Sequence, residues 1–290
     1  MVKKLSQLYM EARNDLAKTE DLQTATLIAR NILCKLTDKT PEQLLADFDT
    51  YVTDKVSADL TAAILRIRDG EPLAYVLGEW DFYGMRLLVD KSVLIPRDDS
   101  CAVTDLAIKK ALFLDKSPRI LDLCTGSGCI GLAIAHRVKD AKVTLADISK
   151  DALAVAKKNV AGQKLTGRVS CFQADALMDP PAFLGKFDMI VSNPPYITAD
   201  EMKKLPDSVK DFEPHLALYG GEDGLDFYRS IAQKYRQALK PGGYLCFEFG
   251  MGQGDAVCRI LEENLYTILE RSRDYNDRER AVLAQIRKDD

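Results

Sequence analysis

The chain has 290 residues, 47% hydrophobic and 29% charged, with a formal net charge of -4, so it is long enough for two domains and a sizeable core. The acidic balance argues against a polyanion as the main partner while leaving room for a local basic face. No stretch approaches the roughly 20 apolar residues of a membrane span, and the Met1-Val2-Lys3-Lys4 start runs into an amphipathic pattern instead of an apolar leader, which points to the cytosol.

Four helices are expected first. Leu5, Leu8, Ala12 and Leu16 form one apolar stripe, and Leu22, Ala25, Ile28, Ala29, Ile32, Leu33 and Leu36 a second. Thr40-Pro41-Glu42-Gln43 reads as a capping box with proline at the first helical position. A fourth helix carrying Leu60, Ala63, Ile64 and Ile67 stops at Asp69-Gly70-Glu71-Pro72. Tyr75 to Tyr83 and Met85 to Val89 then read as a β-hairpin turning at Gly84. This divides the chain into a helical domain (1–72), a hairpin linker (73–97) and a domain from 98 to 290.

Beyond Pro96, strands and helices alternate, which predicts an α/β domain around a mainly parallel sheet. Strands are expected at 119–124, 142–147, 168–173, 187–192, 243–249, 266–272 and 281–287. Arg271-Ser272-Arg273-Asp274 and Asp277-Arg278-Glu279-Arg280 read as a charged hairpin before the last strand. Seven cysteines, at 34, 101, 124, 129, 171, 246 and 258, include no Cys-x-x-Cys pair and read as reduced thiols. With His136 and His215 the only histidines, a metal site has little support.

Chemistry-bearing residues fall at strand ends. The first strand runs into Cys124-Thr125-Gly126-Ser127-Gly128, a turn where a nucleotide-type ligand can approach backbone. The second ends in Asp147, nineteen positions after Gly128, which suits either a contact to ribose hydroxyls or a helix cap. The third ends in Asp175-Ala176, where the acid suits an adenine amine or a solvated loop. The fourth runs into Asn193-Pro194-Pro195-Tyr196. Two prolines stop the ladder and leave carbonyl acceptors without competing donors. A planar NH2 group can then give one hydrogen to the Asn193 oxygen and one to a proline carbonyl, with Tyr196 covering it. Alone, the tetrapeptide is also an ordinary turn signal.

In this order and spacing the motifs resemble the Rossmann-like, class I S-adenosylmethionine-dependent methyltransferases. A nicotinamide dehydrogenase competes for the glycine turn, but Cys124 stands where its first glycine belongs. Leu94-Ile95-Pro96-Arg97, Asn193-Pro194-Pro195-Tyr196, the Phe212 to Leu225 segment and Leu239-Lys240-Pro241-Gly242-Gly243 closely resemble the peptide chain release factor glutamine methyltransferase family (PrmC/HemK), over almost the whole chain. The resemblance implies methylation of the glutamine side-chain nitrogen in the Gly-Gly-Gln motif of class I release factors, in the cytoplasm. S-adenosyl-L-methionine would be the cofactor and the release factor the partner, with no direct nucleic-acid partner and no membrane. It assigns Cys124, Thr125, Gly126, Ser127 and Gly128 to the cofactor loop, Asp147 to ribose, Asp175 and Ala176 to adenine. Asn193 meets cofactor and substrate, and Pro194, Pro195 and Tyr196 complete the glutamine pocket. There are two departures from the family pattern: Asp98-Asp99-Ser100-Cys101 replaces Pro-Glu-Thr-Glu, in which Asp99 and Ser100 are conservative but Cys101 loses a carboxylate, and Ala176 stands where some relatives carry an aromatic. Methylation of an adenine amine is the alternative, disfavoured by the acidic balance because a base-flipping enzyme needs a basic groove. An idle cofactor-binding protein is disfavoured by the intact tetrapeptide. His215 reads as a loop-ordering group, Arg97 as a brace or a substrate contact, and Gly220, Gly221 and Gly224 as backbone positions in a lid.

Overall fold

The computed structural model describes residues 3–114 and 116–287, so Met1 and Val2 of the amphipathic start lie outside it. Two compact units are present, one taking in the chain up to Glu79 with Asp207–Phe212, the other Trp80–Pro206 and the chain from Glu213 onward.

The first unit is helical. Its helices are α1 (Leu5–Leu16), α2 (Leu22–Thr37), α3 (Pro41–Ala46) and α4 (Asp54–Arg68), of which the last three start at side-chain caps. Asp21 accepts from the Gln23 and Thr24 N–H groups at the head of α2, and Thr53 from Val56 N–H at the head of α4. Thr40 and Gln43 close a reciprocal capping box. The apolar stripes meet in one core of Leu5, Leu8, Leu16, Ile32, Leu33, Leu44 and Leu60. Leu73–Leu77 forms a short helix, α5, where an extended strand from Tyr75 was expected. Its apolar residues run continuously, without period-two alternation, between Pro72 and the left-handed Gly78, the punctuation of a single helical turn. Arg66 locks that turn with a two-pronged ion pair to Glu71, at 2.7 and 2.8 Å, and a bond to the Tyr75 carbonyl.

The second unit opens with the expected hairpin, β1 (Glu79–Phe82) and β2 (Met85–Leu88). Both turn residues, Tyr83 and Gly84, have positive φ, as a two-residue turn between twisted strands requires. α6 (Cys101–Ala111) leads into a seven-stranded sheet. Its members are β3 (Arg119–Leu123), β4 (Lys142–Asp147), β5 (Val169–Gln173), β6 (Phe187–Ser192), β7 (Leu239–Glu248), β8 (Tyr266–Arg273) and β9 (Glu279–Ile286). The order is β5-β4-β3-β6-β7-β9-β8, parallel except that β9 runs antiparallel to β7 and β8. β7 begins four residues earlier than expected, with Leu239 paired to Phe187 and an irregularity that takes up Pro241 and Gly242. α7 (Cys129–Arg137) and α8 (Lys150–Gly162) follow β3 and β4, and apolar clusters cover both faces. After β3 the chain builds outward to β5 and then returns to place β6 on the other side of β3. That reversal opens a crevice at the carboxyl ends of the central strands.

One expectation changes in kind. The β8–β9 hairpin is charged, but Arg280 is only 9% exposed. It binds Asp274 at 3.0 Å and Asp99 at 2.8 Å, making it an internal brace.

Candidate active site

β3 ends against Cys124, Gly126 and Gly128, whose φ values of +59°, +53° and +87° swing the chain back into α7. A Cβ on Gly131, one turn into α7, would stand 2.3 Å from Leu145 Cδ2, so the helix packs this closely only with glycine there. The turn is tied from below by Asp122, which the sequence reading passed over as part of an apolar strand. Its Oδ2 accepts from the Thr125 hydroxyl at 2.6 Å and from Gly131 N–H at 2.9 Å. Burial pushes this carboxyl up to about 7. The available signal was one acid inside an apolar run.

Asp147, at the end of β4, joins two loops. Oδ2 accepts from Gly126 N–H and Oδ1 from Ser149 N–H, both at 2.9 Å. Burial raises its pKa against these bonds. The helix cap that Asp147 also suited belongs to Ser149, whose hydroxyl accepts from Ala152 N–H. Asp175 turns its own loop by accepting from Leu177 N–H at 2.8 Å, and Ala176 is held by its carbonyl to the Ser230 hydroxyl. Phe227, three residues before Ser230, supplies an aromatic ring to the same cleft.

β6 is locked to β3 where it ends, Ser192 Oγ donating to the Leu123 carbonyl at 2.6 Å. Asn193 Nδ2 donates to Ser100 Oγ at 3.2 Å. Gln253 then holds the next peptides, donating to the Tyr196 carbonyl at 3.0 Å while its Oε1 accepts from Gly250 N–H. Cys124, Thr125, Gly126, Ser127, Asp147, Asp175, Ala176, Asn193 and Pro195 all line one cleft, which Ser100 and Arg97 complete. Gly128, Pro194 and Tyr196 stand outside the lining. Gly128 is the residue preceding α7, and the ring of Tyr196 packs so closely on Gly250 that a Cβ there would stand 2.9 Å from its Cδ2.

Arg97 ion-pairs with the buried Glu213, which also accepts from Ile95 N–H at 3.1 Å, so Arg97 braces the Pro214 loop from the cleft edge. Burial raises the Glu213 pKa. His215 lies beside Tyr219 and outside the lining. Gly220 and Gly224 are required by close approach: a Cβ on Gly220 would lie 2.6 Å from the Pro195 oxygen and Tyr196 Cα, and one on Gly224 2.3 Å from the Tyr196 oxygen. Gly220→Ala should displace Pro195 and Tyr196, because both obstructing atoms are backbone. We expect turnover to fall by about 10²-fold, the loss that goes with an ångström-scale misplacement. Steady-state kinetics beside a thermal melt checks this, and unaltered turnover in a folded variant contradicts it.

Among the described residues no helix is long and apolar enough to cross a membrane. Residues 104–209 match the family described as "Methyltransferase small domain", and residues 7–78 the "PrmC N-terminal domain". The chain is 44% identical over 213 residues to a release factor glutamine methyltransferase from Clostridium acetobutylicum, covering 73% of this chain and 74% of that one. It is 36% identical over 290 residues to one from Haemophilus influenzae, covering 96% and 97%. In fold it is similar to a methyltransferase from Pyrococcus furiosus, with a TM-score of 0.50 at 15% identity over 79% of this chain and 98% of that one. The α/β fold and the helical N-terminal region are thus shared with these relatives, and fold and family together imply use of S-adenosylmethionine. By its similarity across nearly its whole length, the chain belongs to the release factor glutamine methyltransferase family.

Proposed function

We propose that this chain methylates the side-chain amide nitrogen of the glutamine in the Gly-Gly-Gln motif of class I release factors, using S-adenosylmethionine, in the cytosol. The observation that carries this reading is the Asn193 amide, which lines the cleft beside Pro195 with Nδ2 engaged by Ser100, leaving Oδ1 as the acceptor.

The cleft residues fit the cofactor. No atom lies within 4 Å of where a Cβ on Gly126 would stand, so a ligand can sit directly on that backbone. Each Asp147 oxygen accepts one backbone N–H. A carboxylate oxygen has a second lone pair, which suits a ribose hydroxyl. Asp175 and Ala176 are placed for the adenine side, with Ile148 and Leu177 as apolar lining. When bound, S-adenosylmethionine supplies an electrophilic sulfonium methyl group.

The glutamine amide nitrogen is a poor nucleophile because its lone pair is delocalised into the carbonyl. Asn193 Oδ1 accepts one of its hydrogens and a carbonyl of the Pro194-Pro195 segment the other. Two acceptors fix the plane of the amide and stabilise the positive charge that grows on nitrogen, so catalysis is positioning plus electrostatics. No residue is required as a base, since the proton becomes acidic once the nitrogen carries the methyl group.

The helical unit contributes none of these groups, and we assign it the task of holding the release factor. Docking at a distance supplies binding energy that positions the reacting group. The full-length chain should therefore methylate an intact release factor with a kcat/KM at least about 10²-fold above that for a short Gly-Gly-Gln peptide. Equal values for both substrates would remove the helical unit from recognition.

A further inference from the structure

Behind Asn193 and Ser100 lies a buried acid, Glu248. Asn193 Nδ2 donates to Ser100 Oγ at 3.2 Å, and both side chains stand near enough to the Glu248 carboxyl to favour its charged form. Glu248 is the last residue of β7, is 2% exposed, and stands outside the cleft lining. Its Oε2 has no hydrogen-bond partner among the described residues. Arg280 acts on it through space, but that guanidinium is bonded to Asp99 and Asp274, so this corner holds more acid than base. An acid buried this way costs stability. Glutamine has the same shape without the charge, so packing alone does not account for the choice.

We propose that Glu248 is a positioning residue for methyl transfer: its carboxylate makes the Ser100 hydroxyl donate to it and accept from Asn193 Nδ2, so that Oδ1 of Asn193 is presented to the substrate amide. This rests on the glutamine-methylation reading. A carboxylate only accepts hydrogen bonds, whereas a hydroxyl both donates and accepts, so the charged acid sets the direction of the whole chain. A protonated acid, or an amide in its place, can donate to Ser100. The hydroxyl is then free to donate to Asn193 Oδ1, and the carboxamide turns over. A turned Asn193 meets the substrate NH2 with donors, which cannot hold it.

Burial pushes Glu248 up to about 7, with Asp99 adding to the rise and Ser100, Arg280 and Asn193 opposing it. The other titratable groups coupled to it stay uncharged near neutrality: Cys101 is pushed up to about 11, Cys129 to about 12, and burial raises Tyr196 and Tyr228 further. Glu248 thus changes charge near neutral pH, as does Asp122 under the Thr125 turn, so the comparison with Glu248→Gln is what assigns the acid limb. Activity needs its charged form, so the rate should fall as pH drops through about 7. Stability runs the other way. A carboxyl raised in the folded state stabilises fully below its ordinary range, and that contribution is lost as pH rises through about 7.

The test is single-turnover methylation of a Gly-Gly-Gln peptide by the full-length chain at saturating S-adenosylmethionine, from about pH 6 to about pH 9, with cofactor affinity and thermal unfolding measured on the same samples. Glu248→Gln should lower the alkaline rate by about 10- to 100-fold, the range typical when a group that orients a functional side chain is lost. It should also flatten the acid limb, leave cofactor affinity within about twofold, and melt higher than wild type at alkaline pH. Ser100→Ala should show the same loss of rate. Ser100→Thr keeps the hydroxyl and should keep most of the rate. A wild-type rate and acid limb in Glu248→Gln would overturn the role, as would a parallel loss of cofactor affinity and melting temperature. Wild-type protein that binds S-adenosylmethionine but transfers nothing to either the peptide or an intact class I release factor would overturn the glutamine reading itself, and this role with it.

Discussion

Asn193→Ala should lower turnover by about 10²- to 10³-fold while leaving S-adenosylmethionine affinity within a few-fold, the scale on which a single preorganised polar contact acts at a charge-stabilising site. The side chain is fixed from behind by Ser100 and its backbone by the Ser192 lock to β3. Alanine therefore removes the acceptor without loosening the strand end. The cofactor loop is held independently, by Asp122 and Asp147. Single-turnover methylation at saturating cofactor is the check. A rate within a few-fold of wild type would take Asn193 out of the reaction.

Asp147→Ala should weaken S-adenosylmethionine binding by about 10- to 100-fold and affect turnover at saturation less. A hydrogen bond to a charged acceptor contributes about 1.5 to 3 kcal/mol. The substitution removes the bond to the ligand and also the two backbone bonds, to Gly126 and Ser149, that hold the cofactor loop against the β4 end. Asp147→Asn keeps one acceptor and should fall between. Calorimetric titration distinguishes the outcomes, and unchanged affinity would leave Asp147 as a loop tie alone.

The central strands were legible because both faces are buried, which gives short apolar runs ending in polar residues. Those ends, Asp147, Asp175 and Asn193, meet in one cleft. The capping box of α3 was likewise a local signal. What stayed hidden depends on pairing across the chain. Ser100 and Asn193 are 93 residues apart, and Arg97 and Glu213 are 116 apart, so no window of sequence contains either pair. Glu248 lies in an apolar strand with no local signal that its carboxyl is buried. Arg280 sits in a run of charges, and its burial follows from Asp274 across the hairpin and Asp99 arriving from another loop. The Tyr196 ring packs on Gly250 and its carbonyl accepts from Gln253, both more than 50 residues later.

The most direct test supplies the full-length chain with methyl-labelled S-adenosylmethionine and, in separate reactions, a class I release factor, the same factor with asparagine replacing the glutamine of its Gly-Gly-Gln motif, and an adenine-containing duplex, with the label located by peptide mapping. The account predicts label on the side-chain nitrogen of that glutamine, none on the substituted factor and none on the duplex. Label on the adenine amine, or on the release factor away from that glutamine, would contradict it.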